Sequence, residues 1–261
     1  MSLEETIGAI QGAHRERVFA MEQRKRMSLA LGAYVRLMMG WRRDLSDKER
    51  AAIAKAAAAQ IDAGGSGMPF EKMITSTLAA QKPFVDAEKE SLKALEKLAK
   101  SLPIWEQFGA GIRGFGPASL GVILAEAGDL SKYSTHSKLW KRMGVAVMGS
   151  VRQGGLGANA GAEKWIEHGY NPKRRSLLWN IGDALIKSNQ DGRYRTAYLL
   201  RKEYEIARAP EIKPIAAHRR AQRYMEKKLL RDLWNAWRRA ASISPETAME
   251  SMPAAMHQEA A

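Results

Sequence analysis

One stretch decides the fold of this chain: Ile112-Arg113-Gly114-Phe115-Gly116-Pro117-Ala118-Ser119-Leu120-Gly121-Val122-Ile123-Leu124-Ala125-Glu126. An apolar residue is followed by Gly-x-Gly and then by a helix of small residues, with Leu120, Ile123 and Leu124 on one face. This pattern is typical of the turn in a helix-hairpin-helix, because glycine has no Cβ that clashes at positive φ. A glycine-rich turn between two ordinary core helices has the same pattern, so both interpretations stay open at this point.

The helix that follows this turn predicts a place for an anion. The first N–H groups of a helix have no partner within it, and the helix dipole favours negative charge there. In a chain this basic, the expected anion is a phosphate of a nucleic-acid backbone. We therefore expect Arg113, Gly114 and Gly116 to contact DNA phosphates.

The charge of the chain points in the same direction. Its 261 residues include 42 Lys and Arg against 28 Asp and Glu, which gives a net charge of +14. Residues 171–240 carry 18 Lys and Arg against 7 Asp and Glu, so most of the excess lies in about a quarter of the chain. This distribution predicts a polyanionic partner, nucleic acid before membrane.

Composition also excludes several classes of protein. The chain has no cysteine, which excludes disulfides, zinc fingers and thiol catalysis. No apolar run approaches the ~18 residues of a transmembrane helix, and the first residues do not resemble a signal peptide. None of the five histidines has metal-ligand spacing, so no metal site is expected. We expect a soluble, cytoplasmic bacterial protein that associates with the nucleoid and has no membrane partner.

Helical signals dominate the chain and predict an all-α fold, a helical N-terminal region followed by a domain that contains the helix-hairpin-helix. Ser46-Asp47-Lys48-Glu49 is a capping box that begins a helix, and the glycine-rich run from Gly64 to Pro69 is the clearest break. Val145 to Val151 is the one strand-like stretch. The predicted regions are a helical N-terminal region at 1–65, a long helix or linker arm at 66–107, a DNA-binding domain at 108–242 and a disordered tail at 243–261.

The long arm offers a candidate contact between copies of the chain. Leu92, Leu95 and Leu98 lie three residues apart, with Lys and Glu on the remaining faces. Such a helix is either a solvated amphipathic helix or one that pairs with another helix. A homo-oligomer formed through the N-terminal helices is therefore one candidate partner arrangement.

Residues 104–240 contain seven motifs in a fixed order. They are Ile112 to Glu126, Ala127-Gly128-Asp129-Leu130-Ser131-Lys132-Tyr133, Ser137-Lys138-Leu139, Gly144-Val145-Ala146, Ser150-Val151-Arg152-Gln153-Gly154-Gly155, Asn171-Pro172-Lys173-Arg174-Arg175-Ser176-Leu177-Leu178 and Lys227-Lys228-Leu229-Leu230-Arg231. In this order they resemble the C-terminal domain of the insertion-sequence transposases of the IS-one-ten type. The resemblance covers about half of the chain. It implies a part in the transposition and recombination of mobile DNA, with DNA as partner and a guide RNA as an alternative one.

The chain departs from this family in two places. The family uses a C-terminal serine, and the matching position here is Gly154, which has no nucleophile. Ser150 lies four residues upstream and is either a displaced catalytic serine or a structural residue. The family also has an N-terminal RNase-H-like domain with four acidic residues, whereas residues 1–100 show a helical pattern without strands. No cofactor is expected, and Mg²⁺ enters only if a nuclease partner supplies its site.

Basic clusters supply the remaining candidates for DNA binding. Lys138, Lys141 and Arg142 share one face of a short helix, and Lys173-Arg174-Arg175 opens another helix whose start favours phosphate. Arg152 lies in the fifth motif. A further cluster on the C-terminal helix consists of His218-Arg219-Arg220, Arg223, Lys227, Lys228 and Arg231. One cationic cluster is often only a solvated face, but three beside a phosphate-type hairpin favour contact with a polyanion.

Together these features predict a DNA-binding protein of the transposase family that lacks a complete catalytic apparatus of its own. The first alternative is an active transposase or recombinase that uses Ser150 or a nuclease domain on another chain. The second alternative is a helical regulatory or assembly protein that binds nucleic acid. RNA in place of DNA is a variant of all three, because contact with phosphate does not select the sugar.

Overall fold

A computed structural model describes residues 1–157, 159–188 and 192–242. The α-helices in this part of the chain are α1 (Leu3–Met38), α2 (Asp47–Asp62), α3 (Glu71–Lys100), α4 (Pro117–Ala127), α5 (His136–Arg142), α6 (Ala162–His168), α7 (Pro172–Ser188), α8 (Arg193–Arg208) and α9 (Pro214–Ser242). A π-helix (Trp105–Gly109) precedes α4, and a 3-10 helix (Leu130–Lys132) follows it. Two short strands, β1 (Val147–Met148) and β2 (Val151–Arg152), pair in antiparallel orientation. The predicted all-α class is confirmed. None of the described helices is long and apolar enough to cross a membrane.

The chain forms two compact units whose limits differ from the predicted regions. One unit is Gly12–Ala94, and the other joins Met1–Gln11 to the chain from Leu95 onward. The long helices α1 and α3 each contribute residues to both units, so a break in composition does not mark the division. The predicted disordered tail at 243–261 lies outside the described residues.

The Gly12–Ala94 unit has its own small core. Leu31 and Val35 of α1 pack with Ala57 of α2 and with Phe70 and Ile74 at the start of α3. The glycine-rich run that was expected to separate two domains is therefore a turn inside this unit, because the residues on both of its sides pack into one core.

The helix that begins after Ser46 confirms the predicted capping box. The Glu49 amide donates to the Ser46 hydroxyl at 3.3 Å, and the Ser46 amide donates to the Glu49 carboxylate at 2.9 Å. These two bonds satisfy donors that would otherwise lack a partner at the first turn of α2.

The other unit is organised around α9. Leu229, Leu230 and Leu233 of this helix are fully buried, and α8 packs along it. Two tryptophans of α9 bind the segment that follows α4. Trp234 donates through Nε1 to the Tyr133 carbonyl oxygen at 2.9 Å, and Trp237 donates through Nε1 to Asp129 Oδ1 at 3.0 Å. These bonds hold the segment that follows α4 against α9, and α4 and α9 belong to the same compact unit.

Candidate nucleic-acid interface

The predicted turn lies between a five-residue π-helix, Trp105–Gly109, and α4, and its first glycine has a packing role. Gly114 has φ +84°, a conformation that favours glycine. A Cβ at this position would lie 2.9 Å from the Ser188 Cβ and 3.0 Å from the Ala184 carbonyl oxygen, both on α7. Ile112 and Phe115 on either side are buried. Gly114 therefore allows the hairpin to lie directly against the C-terminal end of α7.

The first turn of α4 has fewer unpaired backbone N–H groups than the first turn of an ordinary α-helix. Pro117 has no N–H, and the amides of Ser119 and Leu120 both donate to the Gly116 carbonyl oxygen, at 2.9 and 3.3 Å. The N–H groups of Gly116 and Ala118 take no part in these two hydrogen bonds. A Cβ at Gly116 would meet no atom within 4 Å, and Arg113 is exposed. This side of the hairpin is therefore accessible to a phosphate.

Two of the predicted DNA-binding arginines make contacts within the protein. Arg174 Nε lies 2.8 Å from Glu126 Oε2, with side chains 12% and 22% exposed. Arg142 Nε donates to the Glu126 carbonyl oxygen at 2.7 Å, and Arg174 Nη1 donates to the Arg142 carbonyl oxygen at 3.2 Å. These bonds connect the last turn of α4 to α5 and α7. They take up the guanidinium group of Arg174, which was predicted to bind phosphate, whereas Arg142 uses only its Nε in these bonds and stays exposed.

The lysines of α5 remain directed outward. Lys138 and Lys141 are exposed, and neither forms a salt bridge with any residue of the described ranges. Lys141 Cε lies 4.0 Å from the place where a Cβ of Gly169 would be, next to Tyr170. Lys173 is also exposed, in the first turn of α7. Positive charge therefore continues from α5 toward the start of α7.

Four arginines surround a pocket of about 250 Å³ at the start of α7, which we call the arginine pocket. Its lining residues are Arg152, Tyr170, Pro172, Arg175, Ser176, Trp179, Arg219 and Arg223. Arg152 comes from β2, Arg175 from the first turn of α7, and Arg219 and Arg223 from successive turns of α9. The fold thus brings together guanidinium groups from three separate segments.

A buried carboxylate partly compensates this positive charge. Glu226 is fully buried, and its Oε2 lies 2.9 Å from Arg175 Nη2. Burial raises the pKa of Glu226 to about 7, because removal from water penalises its charged form more than the nearby arginines favour it. Burial, together with Arg175 and Arg152, lowers the pKa of Arg223. The Arg223 Nε is buried and has no hydrogen-bond partner among the described residues.

The wall of the arginine pocket explains why a side chain at position 154 is excluded. Gly154 has φ +76°, and a Cβ there would lie 2.6 Å from Tyr170 Cζ. The Tyr170 ring thus fills the space that a serine side chain would need. The neighbouring Gln153 fixes this loop, because its Nε2 donates to the carbonyl oxygens of Lys141 at 2.8 Å and His168 at 2.6 Å.

Ser150 occupies a turn and not a cleft. With Gly149 it forms the two-residue connection between β1 and β2, where both residues have positive φ, +51° and +68°. Its side chain is exposed. Such a connection matches the twist of two paired strands, so the geometry gives Ser150 a structural role.

The structure divides the predicted site residues into two groups. Gly114 lies against the C-terminal end of α7, whereas Arg175 lies at its N-terminal end. A rise of 1.5 Å per residue places these two contact points about 14–20 Å apart along the helix. The hairpin and the arginine pocket are therefore separate surfaces of the same unit.

All four arginines of the pocket were candidates from the sequence: Arg152 and Arg175 singly, and Arg219 and Arg223 as members of the basic cluster on the C-terminal helix. No sequence signal marked Tyr170, Trp179 or Glu226, because only the tertiary packing brings them to the pocket. Within residues 1–157, 159–188 and 192–242, no three His, Asp or Glu side chains are grouped as a metal site requires.

The chain was also compared with known proteins. No protein-family model, no curated protein and no solved structure matched it. The likeness to transposases therefore depends on the seven motifs quoted above.

Proposed function

We propose that this protein binds the sugar–phosphate backbone of duplex DNA without reading its sequence, as a relative of transposases that does not carry out their chemistry by itself. The observation that carries the proposal is a set of exposed cations on α5, β2 and α9, which we call the basic face. It consists of Lys138, Lys141, Arg152 and Arg219. None of the four has a salt-bridge partner among the described residues. Cations left without acidic partners attract a polyanion.

The residues at the two predicted catalytic positions support the non-catalytic part of this proposal. Gly154 has no nucleophile, and Tyr170 excludes a larger side chain there. Ser150 is held in a tight turn. Residues 1–100 contain α1, α2 and α3 and no strand, so they offer no RNase-H-like sheet to hold carboxylates around Mg²⁺. Strand cleavage would therefore depend on groups that residues 1–100 and positions 150 and 154 do not supply. The setting that we propose for the protein is the bacterial nucleoid.

A closed duplex, with both ends joined by hairpin loops, tests this function because it offers backbone phosphates and no strand ends. We expect wild-type protein to bind it with a strong dependence on salt. Replacing Lys138 and Lys141 by glutamine should weaken binding to every sequence and reduce the slope of log K against log salt by about 2, one for each lost phosphate contact. Both side chains are exposed, so folding should be unaffected.

The matched control is the double variant Lys25→Gln and Lys55→Gln, which removes the same charge from exposed positions in the Gly12–Ala94 unit. Its salt slope should equal that of the wild type. Equal slopes for both double variants would contradict the assignment of DNA binding to the basic face. Tighter binding of an A-form RNA duplex than of DNA would identify RNA as the partner.

A further inference from the structure

We propose that the arginine pocket binds a single phosphate monoester, the phosphorylated end of a nucleic-acid strand. This inference rests on the proposed function and adds a second mode of contact to it. Backbone phosphates would lie across the basic face, whereas a strand end would enter the pocket of about 250 Å³. The lining residues supply three independent arguments, from charge, helix orientation and aromatic surface.

Charge favours a monoester over a diester. Four guanidinium groups line the pocket, and within the described residues one carboxylate, that of Glu226, pairs with them. A phosphodiester carries one negative charge, while a phosphate monoester carries between one and a half and two near pH 7. Planar guanidinium groups bind such oxygens through pairs of parallel hydrogen bonds. The excess of positive charge is therefore better matched by a strand end.

The orientation of α7 adds to the positive electrostatic potential of the arginine pocket. The pocket is lined by Pro172, Arg175 and Ser176, which belong to the first turns of this 17-residue helix. The positive end of the helix dipole therefore points toward the pocket. The buried Arg223 Nε, which lacks a partner among the described residues, lies in the same place.

An exposed aromatic surface stands beside the cations. Trp179 lines the pocket and is 41% exposed, although tryptophan is usually largely buried. Bases at the end of a strand are free to stack on an aromatic ring, whereas bases inside a duplex are not. A phosphate held by the arginines would leave its own nucleotide next to Trp179. This arrangement fits a strand end better than a free phosphate ion.

The test compares one single-stranded oligonucleotide in three forms: with a 5′-phosphate, with a 3′-phosphate, and with hydroxyl groups at both ends. An internal dye reports binding by fluorescence anisotropy. We expect wild-type protein to bind one of the phosphorylated forms about tenfold more tightly than the hydroxyl form. Arg219→Gln should reduce this ratio to about one. Arg219 is exposed and has no salt bridge with a described residue, so the variant should fold.

Control variants and competitors separate the alternatives. Lys138→Gln should weaken binding of all three forms equally and preserve their ratio, and Trp179→Leu should weaken the preferred form most. Equal affinity of the wild type for all three forms would overturn the inference, and so would a preference that Arg219→Gln leaves intact. If adenosine monophosphate or inorganic phosphate displaces the strand at concentrations equal to the phosphorylated oligonucleotide, the strand-end assignment is wrong. The closed duplex has no ends, so its binding tests the proposed function separately.

Discussion

Introducing a serine at position 154 tests whether the Tyr170 ring excludes a side chain at this position. Gly154 has φ +76°, and a non-glycine residue in that conformation costs about 1–2 kcal/mol. A new Cβ would also lie 2.6 Å from Tyr170 Cζ, and overpacking of this kind costs about 1–3 kcal/mol. We therefore expect Gly154→Ser to lower the free energy of unfolding by about 2–5 kcal/mol, measured by urea denaturation, and to produce no strand cleavage.

Two other glycines in the same region separate the contributions of strain and clash. Gly149 has φ +51° and no atom within 4 Å of an added Cβ, so Gly149→Ser should show only the conformational cost of about 1–2 kcal/mol. Gly157 lacks positive φ and has the same open space, so Gly157→Ser should change stability by less than about 0.5 kcal/mol. Adding Tyr170→Ala to Gly154→Ser should recover the part of the lost free energy of unfolding that is due to the clash with the Tyr170 ring. A Gly154→Ser variant no less stable than Gly149→Ser would refute the reasoning.

Three further outcomes follow from the site. Burial raises the pKa of Glu226 from 4.5 to about 7, so the folded state holds this proton more tightly than the unfolded state does. The free energy of unfolding should therefore fall by about 3 kcal/mol as the pH rises from about 4.5 through 7. Glu226→Gln should remove this decrease when urea denaturation is repeated at pH 5 and pH 8. Arg174→Met should lower the free energy of unfolding by about 1–3 kcal/mol, because it leaves the Glu126 carboxylate without its 2.8 Å ion pair, and pairing it with Glu126→Gln should recover part of the loss. Ser150→Ala should leave both stability, within about 0.5 kcal/mol, and DNA affinity unchanged, because Ser150 is exposed in a turn; a loss of affinity would instead favour a functional serine.

Local signals accounted for the starts of α2 and α4. The capping box of α2 involves residues three positions apart, so its hydrogen bonds follow from sequence alone. The same is true of the turn at Gly114 and Gly116, which begins α4 where the pattern places it. The strand-like stretch from Val145 to Val151 contains β1 and the start of β2, which form a hairpin of two-residue strands. These features depend on neighbours along the chain, which the sequence displays directly.

The division into units depends on contacts between distant residues. The glycine-rich run after α2 has the composition of a linker, yet Phe70 and Ile74 pack against Leu31 and Val35 of α1. Glycine content does not reveal which apolar residues on either side will share a core. For this reason the predicted boundary at 65/66 falls inside the Gly12–Ala94 unit.

The positive charge of the candidate site was predictable from the sequence. Which arginines form contacts within the protein, and which are left to face a ligand, was not. The sequence identifies Arg174 and Arg175 as cationic, but it does not show that Arg174 pairs with Glu126 or that Arg175 pairs with Glu226. These carboxylates lie 48 and 51 positions away along the chain. Arg142 instead donates to the backbone carbonyl oxygen of Glu126, 16 positions away. The same tertiary packing brings Arg152 to the cations of α9.

The measurement that tests the central claim most directly is binding of wild-type protein to a closed DNA duplex between about 50 and 200 mM salt. The account predicts measurable affinity at the lowest salt and a straight line of log K against log salt, with a slope of −3 or steeper from the cations of the basic face. Absence of binding at about 50 mM salt, or an affinity that does not change with salt, would contradict it.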